Sequence, residues 1–328
     1  MSRPARLPVE GEFPELVGAT AWLNSEPLTP AGLRGKVVVV QFCTFSCINW
    51  LRTVPYVRAW AEKYRDDGLV LIGVHSPEFP FEHDVKKIQT ALEGMRVDYP
   101  VAVDNRFAVW RAFDNAYWPA LYFIDAQGRI RHHRFGEEDY VRSERVIQQL
   151  LAESGRDDVD DRLVSVEADG VYLAADWDAL GSPETYVGYA RADGFASPGG
   201  FVPDRSRIYD APSRLELNQW ALAGDWTVGQ QITTSNEPGG RIVHRFRGRD
   251  LNLVLGARPD SGPVRFLVRV DGAPPADAHG LDVDERGNGT VSEERLYQLV
   301  RQDGAAVERT VEIIFSDAGA QAYVFTFG

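Results

Sequence analysis

The chain's two thiols, Cys43 and Cys47, lie at the end of one apolar stretch: Val37-Val38-Val39-Val40-Gln41-Phe42-Cys43-Thr44-Phe45-Ser46-Cys47-Ile48-Asn49-Trp50. Four consecutive valines predict a buried strand, and Ser46 or Cys47 opens a helix running toward Gly68. A cysteine at a helix start meets unpaired N–H groups and the positive end of the helix dipole. Both favour thiolate over thiol, and such cysteines reach pKa values of roughly 3.5–7.5. Cys47 is therefore the candidate nucleophile. A redox pair needs a second cysteine three residues on, where this chain has Trp50. A Cys43–Cys47 disulfide requires Cα atoms within about 7 Å. A strand end and a helix start four residues apart exceed that reach unless the loop rearranges. Cys43 reads as a small buried hydrophobe, with the disulfide kept as an open alternative. His75 closes the next strand and is a candidate to lower the pKa of Cys47 or shuttle its proton, set against the plainer reading of a strand-end histidine held by backbone. Glu78 in the loop after it is a weaker candidate of the same kind.

These side chains need a sheet to hold them. Leu69–His75 is a continuous apolar run, as expected of a parallel strand covered on both faces. The helix after Cys47 has a stripe through Leu51, Val54, Val57, Ala61 and Tyr64, with Pro55 inside it as an expected kink. A second helical pattern runs over 82–95, a short strand over Val101–Val103 and a small helix over Arg106–Phe113. Strands Ala120–Asp125 and Arg129–Phe135 form a hairpin, and a last helix covers 143–153. The order predicts an α/β domain with a mixed sheet and helices on both faces, over residues 1–154.

The order of elements, the Ser46-Cys47-Ile48-Asn49 helix start and the downstream run WPALYFIDAQGRIRHHRFGE (118–137) together resemble the thioredoxin-like domains of the TlpA/DipZ type. The similarity covers about residues 10–153. It implies that Cys47 is the nucleophilic position and that Trp118-Pro119 is a cis-proline turn facing it. DipZ-type sequences usually read C-I-N-C, so Trp50 stands where the resolving thiol would be. Without that thiol, Cys47 can attack a disulfide but cannot release its product unaided. Thr44-Phe45-Ser46-Cys47 also spells T-x-x-C, similar to the peroxidatic motif of peroxiredoxins, in which the hydroxyl and an arginine orient peroxide at a lone thiolate. The proline those enzymes carry four residues before the threonine is Val40 here.

Residues 155–168, opening on the charged run Gly155–Asp161, read as a linker. From 169 to 328 the pattern is all-β. Ile242/His244/Phe246, Leu251/Leu253/Leu255, Val264/Phe266/Val268/Val270, Val311/Ile313/Phe315 and Tyr323/Phe325/Phe327 alternate with period two. They predict a β-sandwich or jelly roll. Ser182–Tyr186 and Ala223-Gly224-Asp225-Trp226 resemble the carbohydrate-binding-module-like C-terminal domain of DipZ-type proteins. That implies a saccharide or peptide ligand on exposed aromatics, with Trp177, Trp220, Trp226 and Tyr209 as candidates, although a tryptophan in a sandwich is more often core than platform. The loop Asp282, Asp284, Asn288, Glu293 has EF-hand spacing. Arg286 sits at the fifth position, where an oxygen donor belongs, so Ca2+ would bind weakly if at all and no other cofactor is expected.

The net charge is −13, and residues 156–328 carry 17 Lys+Arg against 28 Asp+Glu with no lysine. That balance repels phosphate backbones and anionic lipid, so nucleic acid is not an expected partner. The first sixteen residues lack the apolar run of a signal peptide, and no stretch approaches the roughly 18 apolar residues of a membrane span. As given, the chain reads as cytoplasmic, or as periplasmic or extracytoplasmic if a leader is removed. Three functions follow from the residues: a monothiol oxidoreductase acting on a thiol or disulfide, carried on a protein or a small molecule; a redox-inactive binding scaffold in which Trp50 fills the old site; and a thiol peroxidase using Thr44 and Cys47.

Overall fold

The computed structural model describes residues 6–156, 158–304 and 306–328. Asp157, within the stretch expected to be a linker, and residues 1–5 of the N-terminal segment fall outside them. The chain divides into two compact units, Met1–Leu173 and Ala174–Gly328.

In the first unit the strands are β1 (Gly11–Glu12), β2 (Ala21–Leu23), β3 (Val37–Cys43), β4 (Leu69–His75), β5 (Val101–Val103), β6 (Ala120–Ile124) and β7 (Arg129–Phe135). The α-helices are α1 (Ile48–Lys63), α2 (Val85–Gly94), α3 (Ala108–Ala112) and α4 (Tyr140–Glu153). The sheet order is β1-β7-β6-β3-β4-β5-β2. β3 runs parallel to β4 and antiparallel to β6. Every residue of β3 is buried, which is why its valines show no alternation. The central strand therefore delivers Cys43, and four residues later Cys47, to the edge where parallel β3 and β4 both end. α1 continues through Pro55 as one element.

Glu144 of α4 explains where the first unit ends. Its buried carboxyl accepts hydrogen bonds from Tyr64 Oη (2.6 Å), Trp60 Nε1 (3.3 Å) and the backbone N–H of Val164 (3.0 Å). That last bond draws a stretch read as linker onto the α/β unit. The break between units accordingly falls after Leu173.

The second unit is all-β: β8 (Thr185–Tyr186), β9 (Ser206–Tyr209), β10 (Trp220–Val228), β11 (Thr233–Ser235), β12 (Arg241–Arg247), β13 (Asp250–Ala257), β14 (Val264–Val270), β15 (Asn288–Val291), β16 (Arg295–Arg301), β17 (Glu308–Phe315) and β18 (Ala320–Phe327). β10 belongs to both halves of this curled sheet. Trp220–Ala223 pairs with β12, and from Gly224 onward the strand pairs with β9 and then β11. Gly224 makes the bend with φ +90°, a conformation that other residues adopt at a cost. The core between the halves is filled by Trp220, Trp226, Phe246, Phe266, Phe315 and Phe325 among others.

β18 pairs with β11, β13 and β8, and Phe325 is wholly buried. Each buried Phe lost costs about 3–5 kcal/mol. Deleting residues 324–328 is therefore expected to abolish the cooperative unfolding of the second unit. A full-length and a shortened chain compared by calorimetry check this, and an unchanged second transition would show that β18 is dispensable.

Candidate functional site

Cys47 is the N-cap residue of α1, with extended backbone (φ −78°, ψ 117°) and no acidic residue in the helix's first turn. It is partly exposed and not in a disulfide. Its Sγ lies 4.0 Å from Trp118 O. The Trp118–Pro119 peptide is cis, and the turn is held on both sides. Trp118 Nε1 donates to Ser76 O (3.0 Å), and Gly136 N donates to Pro119 O (2.8 Å). The structure thus brings together the helix start and the Trp-Pro turn, which lie 71 residues apart. The Cys47 side chain makes no cap hydrogen bond to the first-turn N–H groups; the helix dipole, with no acidic side chain in that turn, is what favours an anionic sulfur here.

The other predicted site residues behave differently. Cys43 is 2% exposed. Burial first, and the Glu82 carboxylate second, push its thiol far up, an environment that disfavours the nucleophilic thiolate. Trp50 is wholly buried and does not add bulk to the surface beside Cys47. Its Nε1 donates to Gln41 Oε1 (3.1 Å), Gln41 Nε2 donates to Thr53 Oγ1 (2.8 Å), and Thr53 Oγ1 donates to Trp50 O (2.6 Å). The indole thus occupies the core, with its one polar atom satisfied by a buried amide. Thr44 is also wholly buried. Its Oγ1 lies beside the Glu82 carboxyl without a hydrogen bond of good geometry. Arg52, five residues after Cys47, is buried in an ion pair with Glu137 (2.9 Å). Thr44 and Arg52 therefore do not form a hydroxyl–arginine pair for a peroxide arriving at Cys47.

His75 is wholly buried and stacked on Phe45 (ring centroids 5.6 Å apart). Burial lowers its pKa to about 3, so it stays neutral at physiological pH and is enclosed rather than poised to shuttle a proton. His133 pairs with Glu10 on the surface (2.7 Å).

Sequence reasoning passed over Glu82, which sits in a short 3-10 turn, Pro80–His83, and is wholly buried. One carboxyl oxygen accepts from Ser46 N (3.2 Å) and Ser46 Oγ (2.7 Å). The other accepts from the backbone N–H of Glu78 (2.7 Å) and Phe79 (2.9 Å). The one available signal was a carboxylate directly after the aromatic run Phe79-Pro80-Phe81. Gln41, a single amide in an otherwise apolar strand, carried a similar signal for the Trp50 network.

In the second unit, Trp220 and Trp226 are wholly buried and Tyr209 is 2% exposed. These three fill the sandwich and cannot form a ligand platform, whereas Trp177 is 48% exposed. The EF-hand-like loop has spent its acids on protein donors. Asp282 accepts from Arg295 (2.7 Å) and Gln298 N (2.8 Å). Asp284 accepts from Arg286 N and Asn288 N, and Glu293 pairs with Arg295 (3.3 Å). Arg295 pairs with Asp282 and Glu293, while Asp284 is held by the backbone of Arg286 and Asn288. Among the described residues no group of three or more His, Cys, Asp or Glu has a metal-binding arrangement, and no helix is long and apolar enough to cross a membrane.

Residues 13–133 match the AhpC/TSA family, and residues 182–328 match the family described as a thioredoxin-like C-terminal domain. Protein DipZ of Mycobacterium tuberculosis is 35% identical over 327 residues, which is 99% of this chain and 44% of DipZ. The chain thus spans less than half the length of that relative. Thiol-disulfide oxidoreductase YkuV of Bacillus subtilis is 32% identical over 142 residues, covering 43% of this chain and 95% of YkuV. A solution structure of a thioredoxin-like protein in its oxidised form shares 34% identity over 44% of this chain and 96% of its own, with a TM-score of 0.41. The first unit has the thioredoxin-like fold of thiol-disulfide oxidoreductases, and the chain belongs to the TlpA/DipZ-type family of thioredoxin-like proteins.

Proposed function

We propose that the first unit performs thiol–disulfide exchange with one sulfur, Cys47. The Cys47 thiolate attacks a disulfide RS–SR′, forming a Cys47–S–S–R mixed disulfide and expelling R′S⁻. A second thiolate, supplied by a small-molecule or protein thiol, then attacks the R sulfur and regenerates the Cys47 thiolate. The observation that carries this reading is the separation of the chain's thiols by environment. Cys47 caps a helix beside the Trp118–Pro119 turn, while Cys43 is sealed in the core. Trp50 holds the position from which a dithiol enzyme would resolve the intermediate. Substrates are disulfides small or flexible enough to bring a sulfur against Trp118.

Intact-mass analysis after exposure to oxidised glutathione tests this. The expected product carries one glutathionyl unit, localised to Cys47, that persists until an external thiol is added; Cys47→Ser abolishes it. A loss of two hydrogens instead would mean that Cys43 resolves the adduct, and no adduct would leave the binding-scaffold reading. Oxygen addition at Cys47 under mild peroxide, faster than at a free cysteine, would favour peroxidase chemistry.

A further inference from the structure

We propose that Glu82 is the positioning residue of the Cys47 thiol, a buried carboxyl that fixes the loop before the nucleophile against the loop after β4. This rests on the reading of Cys47 as the nucleophile.

A carboxyl taken wholly out of water is costly unless its lone pairs are met by donors. Here each oxygen receives two. Ser46, the residue immediately before Cys47, supplies both its backbone N–H and its hydroxyl to one oxygen. The backbone N–H groups of Glu78 and Phe79 supply the other. Cys47 N in turn donates to Thr44 O (3.2 Å), so the turn 44–47 is closed at its base and pinned at Ser46. Little freedom is left to the backbone that carries Sγ.

The loop on the far side of Glu82 also reaches the third wall of the site. Ser76 N donates to Cys43 O (3.0 Å), and Ser76 O accepts from Trp118 Nε1 (3.0 Å). The cysteine turn, the 76–82 loop and the Trp118–Pro119 turn are thereby joined, with Glu82 supplying the side-chain hydrogen bonds to Ser46. Phe45 adds a stacked contact to His75 and an edge contact to Phe81, a second tie between the same two loops. The same carboxylate contributes to holding the neighbouring Cys43 thiol protonated. Burial remains the larger cause of that shift, and Glu82 adds to it.

The test uses the full chain as wild type, Glu82→Gln, Ser46→Ala and the double variant. The readouts are the rate of Cys47 alkylation by iodoacetamide between pH 5 and 9, with the site identified by peptide mass, and the melting temperature. Gln keeps the volume of Glu82 but turns one acceptor into an N–H₂ group facing donors, which breaks one half of the clamp. The expected result is a rate at pH 7 about tenfold lower in Glu82→Gln, the scale set by one hydrogen bond to a charged group, with the midpoint of the pH profile moved up. Ser46→Ala, which removes a single hydroxyl and little packing, moves both readouts the same way by less. The double variant is no slower than Glu82→Gln, since both changes act on one network.

Wild-type rates and midpoints in both variants, accompanied only by lower melting temperatures, would make Glu82 a stability element and overturn the proposal. A faster Glu82→Gln would overturn it too, by showing that the carboxylate acts as a repelling charge. If Glu82→Gln does not fold, Ser46→Ala decides alone. A wild-type Cys47 no more reactive than a free thiol would instead refute the underlying single-thiol reading, whatever the variants do.

Discussion

Trp50→Cys, which restores the two-cysteine spacing, is expected to lower the stability of the first unit by about 3–5 kcal/mol, the range for deleting a fully buried aromatic. The indole is wholly enclosed, and its removal leaves a space that the surrounding β3 and α1 side chains cannot close. It also takes the Nε1 donor away from Gln41 Oε1. Against a total stability of roughly 5–15 kcal/mol for a domain of this kind, the variant still folds but melts well below wild type. Its chemistry should change as well. After oxidised glutathione the variant is expected to show a loss of two hydrogens, because the introduced thiol attacks the Cys47 mixed disulfide and expels glutathione. Trp50→Ala separates the two effects: the same destabilisation, but a retained glutathionyl unit. Equal stability of wild type and Trp50→Ala in denaturant unfolding would contradict the enclosed position of the indole. A retained adduct in Trp50→Cys would show that the three-residue spacing alone does not bring the second sulfur within reach.

Position 50 also shows where sequence reading succeeds and where it stops. The run Val37–Cys43 and the helix after it were legible because burial on both faces and a 3.6-residue stripe leave unmistakable patterns. The partnership of Cys47 with Trp118 was legible only through family resemblance, because no local rule links residues 71 apart. The direction in which Trp50 points was not legible at all, since a helix residue three positions from the nucleophile can face the site or the core. Gln41 decides it here by offering the indole N–H a buried acceptor.

Glu82 was missed for a related reason. A carboxylate in a loop is by default solvated, and only the convergence of four donors from two loops makes its burial tolerable. In the second unit, the alternating strands β12, β14 and β17 stood out, whereas β16 (Arg295–Arg301), buried across its middle five residues, shows no alternation. β10 was not among the alternating runs, because Gly224 bends it and its two ends pair with different strands. Trp220 and Trp226 were ligand candidates through family resemblance alone, against the usual core role of a sandwich tryptophan, and they are core residues.

The second unit is expected to lose stability as pH falls from about 6.5 toward 3, and His244 is the cause. Its ring is wholly buried on β12 against Phe325 and Phe327 (ring centroids 4.9 and 5.4 Å), and neither ring nitrogen finds a partner of good geometry. Burial lowers its pKa to about 3, against about 6.5 in an unfolded chain. The sign follows from proton counting. Between those two values the unfolded chain binds a proton that the folded one does not, so unfolding is favoured as pH falls. The slope is about 1.4 kcal/mol per pH unit for one such group. Above pH 6.5 both states are neutral at this ring and the contribution vanishes.

Asp317 of the same unit, lowered to about 2 by Arg265, acts in the same direction but only below the ordinary aspartate range, so the interval from pH 6.5 to 4 isolates the histidine. His75 would do the same in the first unit, but there Glu82, Asp104 and Glu137 are raised by burial. Raised carboxyls take up protons in the folded state first and offset its slope. His244→Leu keeps an apolar side chain of similar reach and removes two unsatisfied nitrogens, so it should match or exceed wild-type stability at pH 7. Urea unfolding of the full chain, followed through the second unit, should then give wild-type and variant stabilities that separate steadily as pH drops from 6.5 to 4. Parallel lines across that interval would mean that the ring is protonated inside the fold, and that the space between Phe325 and Phe327 admits water.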